Sequence, residues 1–409
     1  MNQILLITIS GEDQPGVTAG ISAILSERRA NVLDIGQSVI HATLSLGILA
    51  ELPQDCDQQA LTGAIQAFAD ARDLRLRSST VSPQSYGQWV EGQGRARYII
   101  TLLARKITSD QLARVTAVVS AHGLNIDGIN RLSGRIPLGE LPALSKACVE
   151  FSARGSLPDA AAFRRELLEV AGALEVDLAF QQDNMYRRNR RLVAFDMDST
   201  LIEAEVIDEL AHIAGVGEQV SAITERAMRG ELDFSESFRA RVALLKGLPE
   251  SALEQVAADL RITEGAEHLI STLRKLGYRT AILSGGFTYF ARHLQQRLGI
   301  DYVYANELDI VDGAVSGAIS GTIVDGARKA ELLRQLAAEE GIDLQQVIAV
   351  GDGANDLPML SIAGLGVAFR AKPLVKQSAE QSISTLGLDA ILYLLGFSDR
   401  YHPGVSAQA

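Results

Sequence analysis

Two aspartates separated by a single residue, Asp196 and Asp198, follow the apolar run Leu192-Val193-Ala194-Phe195, and Ser199-Thr200 comes directly after them. Such a run predicts a buried strand, and in an open α/β sheet ligands bind beyond the carboxyl ends of the strands. Residues two apart in extended chain share a face, so the two carboxylates meet unless the backbone turns between them. Like charges that close need a cation or a shared proton. An acidic loop closing a strand is the plain alternative. Two further apolar runs end in polar loops, however: one at Ser284-Gly285-Gly286, the other at Gly351-Asp352-Gly353-Ala354-Asn355-Asp356, with Lys329 opening a helix between them. Carboxylates gathered without histidine or cysteine suit a hard, oxygen-ligated cation such as Mg²⁺.

The elements that must position these residues alternate strand and helix. A helix over 265–276 leads into a strand at 279–283; residues 302–325 are rich in strand formers around Asp312-Gly313, a hairpin signal. A helix over 329–341, a strand at 347–350 and a last strand at Gly366-Val367-Ala368-Phe369 complete a doubly wound, Rossmann-like α/β core over 190–396. Residues 203–262 instead have helical period, with Ile207, Leu210 and Ile213, then Phe234, Phe238, Val242 and Leu245. They predict an inserted helical cap, with Met228 and Phe234 in its apolar interior. Residues 397–409 carry no pattern and are expected to form a mobile tail.

The N-terminal half has a different rhythm. A strand at 3–9, a turn at Gly11-Glu12-Asp13-Gln14-Pro15-Gly16, a helix over 17–29, strands near 31–35 and 43–52 and a helix near 58–71 make a β-α-β-β-α unit. The order recurs from Tyr98. Setting Asn125 under Asn31 also sets Val115 under Ile21, an internal repeat at a spacing of 94 residues. Two small α+β domains, 1–82 and 96–181, are therefore expected. The Gly-, Gln- and Ser-rich stretch 82–97, with Trp89, reads as their linker, and Arg187-Arg188-Asn189-Arg190-Arg191 as a solvated one at the next boundary.

Composition narrows the partners. A chain of 409 residues with 47% hydrophobic and 22% charged residues can bury several cores. A formal net charge of −12 argues against nucleic acid, whose phosphates need a basic face. Cys56 and Cys148 have neither CxxC nor metal-ligand spacing and are expected to be reduced. The apolar residues 4–9 are too few for a signal segment, and no run is long enough to cross a membrane. A cytoplasmic protein without membrane partner is expected.

The opening turn from Gly11 to Val17 and the repeat resemble a tandem pair of ACT domains, amino-acid-binding modules of ferredoxin-like topology. The resemblance implies a ligand where the loop after the first strand meets a partner domain, making Gly16, Asn31 and Asp34 regulatory candidates and a homodimer through these domains the expected assembly. The second copy departs from the pattern, with Ser109 and Asp110 where Pro15 and Gly16 stand in the first.

The C-terminal motifs, in order, resemble the haloacid dehalogenase superfamily, and the closer resemblance is to its phosphoserine phosphatase family. It implies Asp196 as nucleophile and Asp198 as general acid and base. Asp196, Asp352 and the backbone carbonyl of Asp198 become Mg²⁺ ligands, and Lys329, Ser284, Gly285 and Asn355 phosphoryl contacts. Glu205 is set against a substrate ammonium and Arg241 against its carboxylate, with Met228 and Phe234 beside them. The implied reaction is hydrolysis of O-phospho-L-serine, the last step of serine formation, with L-serine or another amino acid as effector. A phosphatase or phosphotransferase for another phosphorylated amino acid, such as phosphohomoserine, and an amino-acid sensor on a silent phosphatase fold are the alternatives. The intact Asp196, Asp198, Lys329 and Asp352 argue against the sensor.

Overall fold

The computed structural model describes residues 3–139 and 142–401, in two compact units, Met1–Arg95 and Ala96–Ala409. In the first unit, strands β1 (Gln3–Glu12), β2 (Asn31–Ile40), β3 (Thr43–Leu52) and β4 (Arg75–Val81) form an antiparallel sheet in the order β2-β3-β1-β4. In β3 every second residue, Leu44, Leu46, Ile48, Ala50 and Leu52, is buried. That period of two directs one face onto helices Val17–Glu27 and Gln58–Asp70. Gly16 caps the first helix at φ +91°, a left-handed conformation suited to glycine. The stretch expected as a linker folds into a helix, Pro83–Glu91, capped by the Ser82 hydroxyl.

The second unit begins with the repeat: β5 (Arg97–Ala104), β6 (Asn125–Arg131), β7 (Ala147–Arg154) and β8 (Asp177–Gln182), in the equivalent order β6-β7-β5-β8. Val115 and Val119 are buried as Ile21 and Leu25 are, 94 residues earlier. Where the first copy turns through Pro15-Gly16, the second starts its helix with a capping box between Thr108 and Gln111.

This second sheet is covered on both faces. Ile100, Leu102, Phe151 and Phe180 pack on the copy's own helices, while Leu103, Cys148 and Ala179 join the large core of the C-terminal domain. Hydrogen bonds fasten the contact. Phe180 N donates to Gln381 Oε1 (2.8 Å) and Gln381 Nε2 to Phe180 O (2.6 Å). Asp177 accepts from the amides of Ser384 (2.9 Å) and Thr385 (2.7 Å), and Arg105 pairs with Glu264 through two bonds of 2.8 Å.

The basic run is solvated only in part: Arg188 and Arg191 are exposed, but Arg187 and Arg190 are buried. Arg187 is 1% exposed and paired with Glu150 of β7, and Arg190 donates to the Gln345 carbonyl. Arg187 thus reaches from the domain boundary to the second copy and Arg190 to the C-terminal domain, each finding an acceptor distant in sequence. The expected tail also starts later: Ser398 Oγ donates to Leu132 O (2.9 Å), and Asp399 accepts from Gly134 N (2.7 Å). Residues 402–409 lie outside the described residues.

The C-terminal sheet contains β9 (Leu192–Phe195), β10 (Arg279–Phe287), β11 (Tyr302–Val311), β12 (Ala314–Ser320), β13 (Val347–Gly351), β14 (Leu365–Phe369) and β15 (Gln381–Ile383). Its order is β12-β11-β10-β9-β13-β14-β15, parallel except for the β11–β12 hairpin. That hairpin turns at Asp312 (φ +51°) and Gly313 (φ +76°), both left-handed as a type I′ turn requires. The last strand lies beyond the expected one, because three residues are too few for a periodic signal. Helices Val206–Ile213, Gly217–Met228, Phe234–Leu244 and Glu250–Asp259 form the cap, and an antiparallel bridge between Ile202 and Ile262 closes its base. No described helix is long and apolar enough to cross a membrane.

Candidate active site

Parallel register sets the three polar loops side by side. Phe195 is level with Ile282 of β10 and with Val350 of β13. One step further, Asp196 leaves the sheet level with Leu283 and Gly351, the residues just before Ser284 and Asp352, and its amide still donates to Val350 O (2.8 Å). The backbone then turns. Amides of Thr200, Leu201 and Ile202 converge on Met197 O at 3.3, 2.9 and 3.2 Å, and Ser199 takes φ +55°. Asp198 is thereby aimed at the cap, where its Oδ1 accepts from Val206 N (3.0 Å).

Lys329 lies in the first turn of helix Gly326–Glu339, which Asp325 caps through Arg328 N (2.8 Å). Its Nζ is 2.7 Å from Asp196 Oδ2 and 2.7 Å from Asp356 Oδ1. Burial alone would pull the ammonium down, but the two carboxylates outweigh it and hold Lys329 above its ordinary value. Asp356 Oδ2 accepts from Gly353 N (3.0 Å), so both its oxygens are engaged and it holds the loop together. A Cβ on Gly351 would overlap this carboxylate, which explains a glycine there.

Oxygens of Asp196, Asp352 and Asp356 come within 4.8 Å of one another. An all-carboxylate set gathered just beyond the ends of β9 and β13 fits a hard divalent cation. Crowding argues the same way. Burial first and Asp196 second push Asp352 up to about 7 and Asp356 to about 8. Thr200 Oγ1 donates to Asp352 at 3.3 Å. Asp198 is pushed well above the carboxylate range by burial, then Glu205, then Asp196, against the Val206 amide and Lys329.

Ser284 is fully buried, and its Oγ accepts from Gly286 N (2.9 Å). Added Cβ atoms would collide with Phe234 at Gly285 and with Asp198 Oδ2 at Gly286. The loop thus threads between cap and acid with no room for side chains. Asn306, which no sequence motif marks, donates from Nδ2 to Gly285 O (2.8 Å) and accepts Val324 N at Oδ1 (2.8 Å). A polar amide inside a run of strand formers was the only signal for it.

Toward the cap, Glu205 accepts from Ser199 Oγ (2.7 Å). It is open to solvent at the rim, yet the protein around its carboxyl pushes the pKa up, opposed by Ser199 and reinforced by Asp196. Arg241 is half-buried over the Phe238 ring (6.0 Å), with Nε buried and unpaired. Burial lowers it, against the pull of Asp208, Glu205 and Asp198. Phe234 stacks on Phe238 (5.9 Å), which meets Phe287 of the core (5.5 Å). Asn355 folds its side-chain oxygen over Gly353. Met228 ends a cap helix, and its side chain lies outside the described residues.

The regulatory candidates are not brought together within one copy. Gly16 precedes helix Val17–Glu27 and Asn31 follows it, about 16 Å of helix apart. Asn31 Nδ2 reaches Glu51 (3.4 Å), while Asp34 accepts the Ile35 amide (2.9 Å) beside a register shift in β2.

The haloacid dehalogenase-like hydrolase family matches residues 193–361, and the ACT domain family residues 3–79. The phosphoserine phosphatase of Streptomyces coelicolor is 41% identical over 394 residues, 96% of this chain and 92% of that protein. That of Mycobacterium tuberculosis is 41% identical over 397 residues, 96% of this chain and 93% of its own. A solved HAD family hydrolase from Salmonella enterica serovar Typhi superposes with a TM-score of 0.63 at 31% identity, over 73% of this chain and 98% of that one. Core, cap and carboxylate cluster have the form of a haloacid dehalogenase-like hydrolase preceded by ACT-type domains. Within that class, the chain belongs to the phosphoserine phosphatase family.

Proposed function

We propose that this chain hydrolyses O-phospho-L-serine to L-serine and phosphate through an aspartyl-phosphate on Asp196. One arrangement carries the mechanism: of two carboxylates two residues apart, Asp196 pairs with the buried Lys329, while Asp198 turns toward the cap and is pushed well above the carboxylate range by burial, then by Glu205 and Asp196. That difference in surroundings assigns acid and nucleophile in one site.

Asp196 attacks phosphorus as the bond from phosphorus to the serine oxygen breaks, and Asp198 passes its proton to that oxygen. Asp198, now a base, takes a proton from water as the water oxygen bonds to phosphorus, and the bond to Asp196 breaks. Lys329 offsets the charge on Asp196 and the phosphoryl oxygens, to which the Ser284 hydroxyl and Gly285 amide donate. Asp196, Asp352 and the Asp198 carbonyl would hold Mg²⁺, which supplies positive charge at the phosphoryl oxygens. Glu205 and Arg241 suit the ammonium and carboxylate of a zwitterion.

Phosphate release from L-phosphoserine, with Mg²⁺ or EDTA, tests this. We expect metal-dependent turnover that Asp196→Asn abolishes, and Arg241→Ala to raise KM for phosphoserine while sparing p-nitrophenyl phosphate. Turnover of phosphohomoserine alone would replace the substrate, and no turnover of any ester would leave a sensor. An amino acid effector, with L-serine the first candidate, is assigned to the first ACT-type domain. Because Gly16 and Asn31 stand at opposite ends of one helix, a site using both needs a second copy, in a homodimer. Loss of serine sensitivity in Gly16→Val or Asp34→Ala is expected; unchanged inhibition moves the site elsewhere.

A further inference from the structure

We infer that Asn306 is a positioning residue, setting the Ser284-Gly285-Gly286 loop against Lys329; this rests on the reading of Ser284, Gly285 and Lys329 as phosphoryl contacts. The pairing of β10 with β11 runs Ala281–Tyr302, Ile282–Val303 and Leu283–Tyr304, then resumes at Phe287–Asn306. Four steps along β10 thus match two along β11. The excess is the loop itself, pushed out of the sheet at the strand's carboxyl end. A bulge of this kind leaves backbone groups without ladder partners.

The Asn306 side chain, in a residue 1% exposed, supplies them. Its amide donates to Gly285 O and accepts from Val324 N, both at 2.8 Å. Each end serves a different segment. Gly285 O belongs to the same planar peptide as Gly286 N, which donates to Ser284 Oγ at 2.9 Å. Fixing the carbonyl therefore fixes the amide that engages the Ser284 hydroxyl. Val324 directly precedes Asp325, the cap of the helix whose first turn carries Lys329. One buried amide so links the loop donors to the helix bearing the lysine. The loop needs such an external anchor, because two consecutive glycines impose little conformation of their own.

Asn306→Asp keeps the side-chain shape and an acceptor for Val324 N but sets a carboxylate oxygen against Gly285 O. In the full chain with Mg²⁺, we expect kcat on both L-phosphoserine and p-nitrophenyl phosphate to fall about 100-fold, the scale of a small misplacement of reacting groups. Inhibition by orthovanadate, which reports on the phosphoryl subsite, should weaken in step. Competitive inhibition by L-serine, which reports on Glu205 and Arg241, should stay within about twofold of the parent, since those residues sit in the cap. A cooperatively folding Asn306→Asp protein with parental kcat and vanadate affinity overturns the proposal. So does equal weakening of serine and vanadate, the mark of general loosening. Asn306→Ala, which removes both bonds, should show the same split; loss of the folded state in both variants makes Asn306 a determinant of folding instead. Asp196→Asn in the same assay separates the two readings: if it retains turnover, the site itself is misread, whereas an inactive Asp196→Asn beside a fully active Asn306→Asp rejects only the role of Asn306.

Discussion

Lys329 Nζ stands 2.7 Å from Asp196 Oδ2 and equally far from Asp356 Oδ1, with no part of the lysine open to solvent. A buried cation shared by two buried acids makes the site and the core interdependent. Removing it by Lys329→Met leaves unpaired carboxylates, and breaking a buried pair in this way costs about 3–5 kcal/mol. We expect a matching fall in denaturant midpoint and at least a hundredfold loss of turnover, about what one preorganised charge contributes. The lysine is held above its ordinary value near 10.4, so its stabilisation is whole at neutral pH. It disappears only as pH climbs through the raised value.

Asp198→Asn should divide the two chemical steps. With p-nitrophenyl phosphate the leaving group departs without a proton, while water still needs a base. The phosphorylated enzyme should then accumulate, seen as a burst of nitrophenol, and steady turnover should drop about 10²- to 10⁴-fold. Absence of a burst together with parental turnover would remove Asp198 from the chemistry.

Mg²⁺ and protons should compete at Asp352. Its carboxyl is held up at about 7 by burial and by Asp196, and a ligating carboxylate must be ionised. The rise in Tm on adding Mg²⁺ should therefore be larger at pH 8 than at pH 6, and Asp352→Asn should flatten that difference. A metal effect independent of pH across this range would move the cation off Asp352.

Gly286→Ala places a methyl group where Asp198 Oδ2 already lies, 2.8 Å from Met197 Cε and 3.1 Å from Ser284 Oγ. The loop or the acid must shift, so about a hundredfold loss of kcat is expected. Gly63→Ala, in a helix with nothing within 4 Å of the new Cβ, should be neutral or slightly stabilising.

Glu264 ties the second ACT-type copy to the phosphatase core, accepting from Arg105 twice at 2.8 Å and from Arg370 at 3.0 Å. The Arg105 hydrogen bonds lead in holding its carboxyl below the ordinary range, with Arg370 adding to them. A depressed carboxylate stabilises above its unfolded value near 4.3 and loses that stabilisation as pH falls through the folded value. The site is partly open and screened, so about 0.5–1 kcal/mol is expected. Glu264→Gln should lower Tm by a few degrees at pH 7 and converge on the parent near pH 3.

Where chemistry depends on neighbours in the chain, it is legible without the fold. The buried run ending at Asp196, the Asp312-Gly313 turn and the repeat placing Val115 under Ile21 rest on periodicity and turn stereochemistry, which act over a few residues. The carboxylate-rich loops could be gathered from the rule that ligands meet strand ends. Their order across the sheet could not, since it depends on which strands lie beside β9.

Charges and apolar faces whose state depends on distant surfaces had to await the tertiary structure. Arg187 looks solvated among its neighbours and is buried because Glu150, 37 residues earlier, waits on β7. Leu103 and Ala179 look like strand residues of a free sheet, and only packing on the core shows both faces covered. Asn306, two strands from the nucleophile's strand, matters because the bulge in β10 leaves the Gly285 carbonyl to satisfy and the Val324 amide lies within reach of the same side chain. The sequence by itself therefore determined which residue types stand at which strand ends, through short-range rules of period and turn. Tertiary structure alone decided which of them are paired, buried and held at reacting distance, because the free energies of burial and ion pairing depend on surroundings contributed by remote parts of the chain.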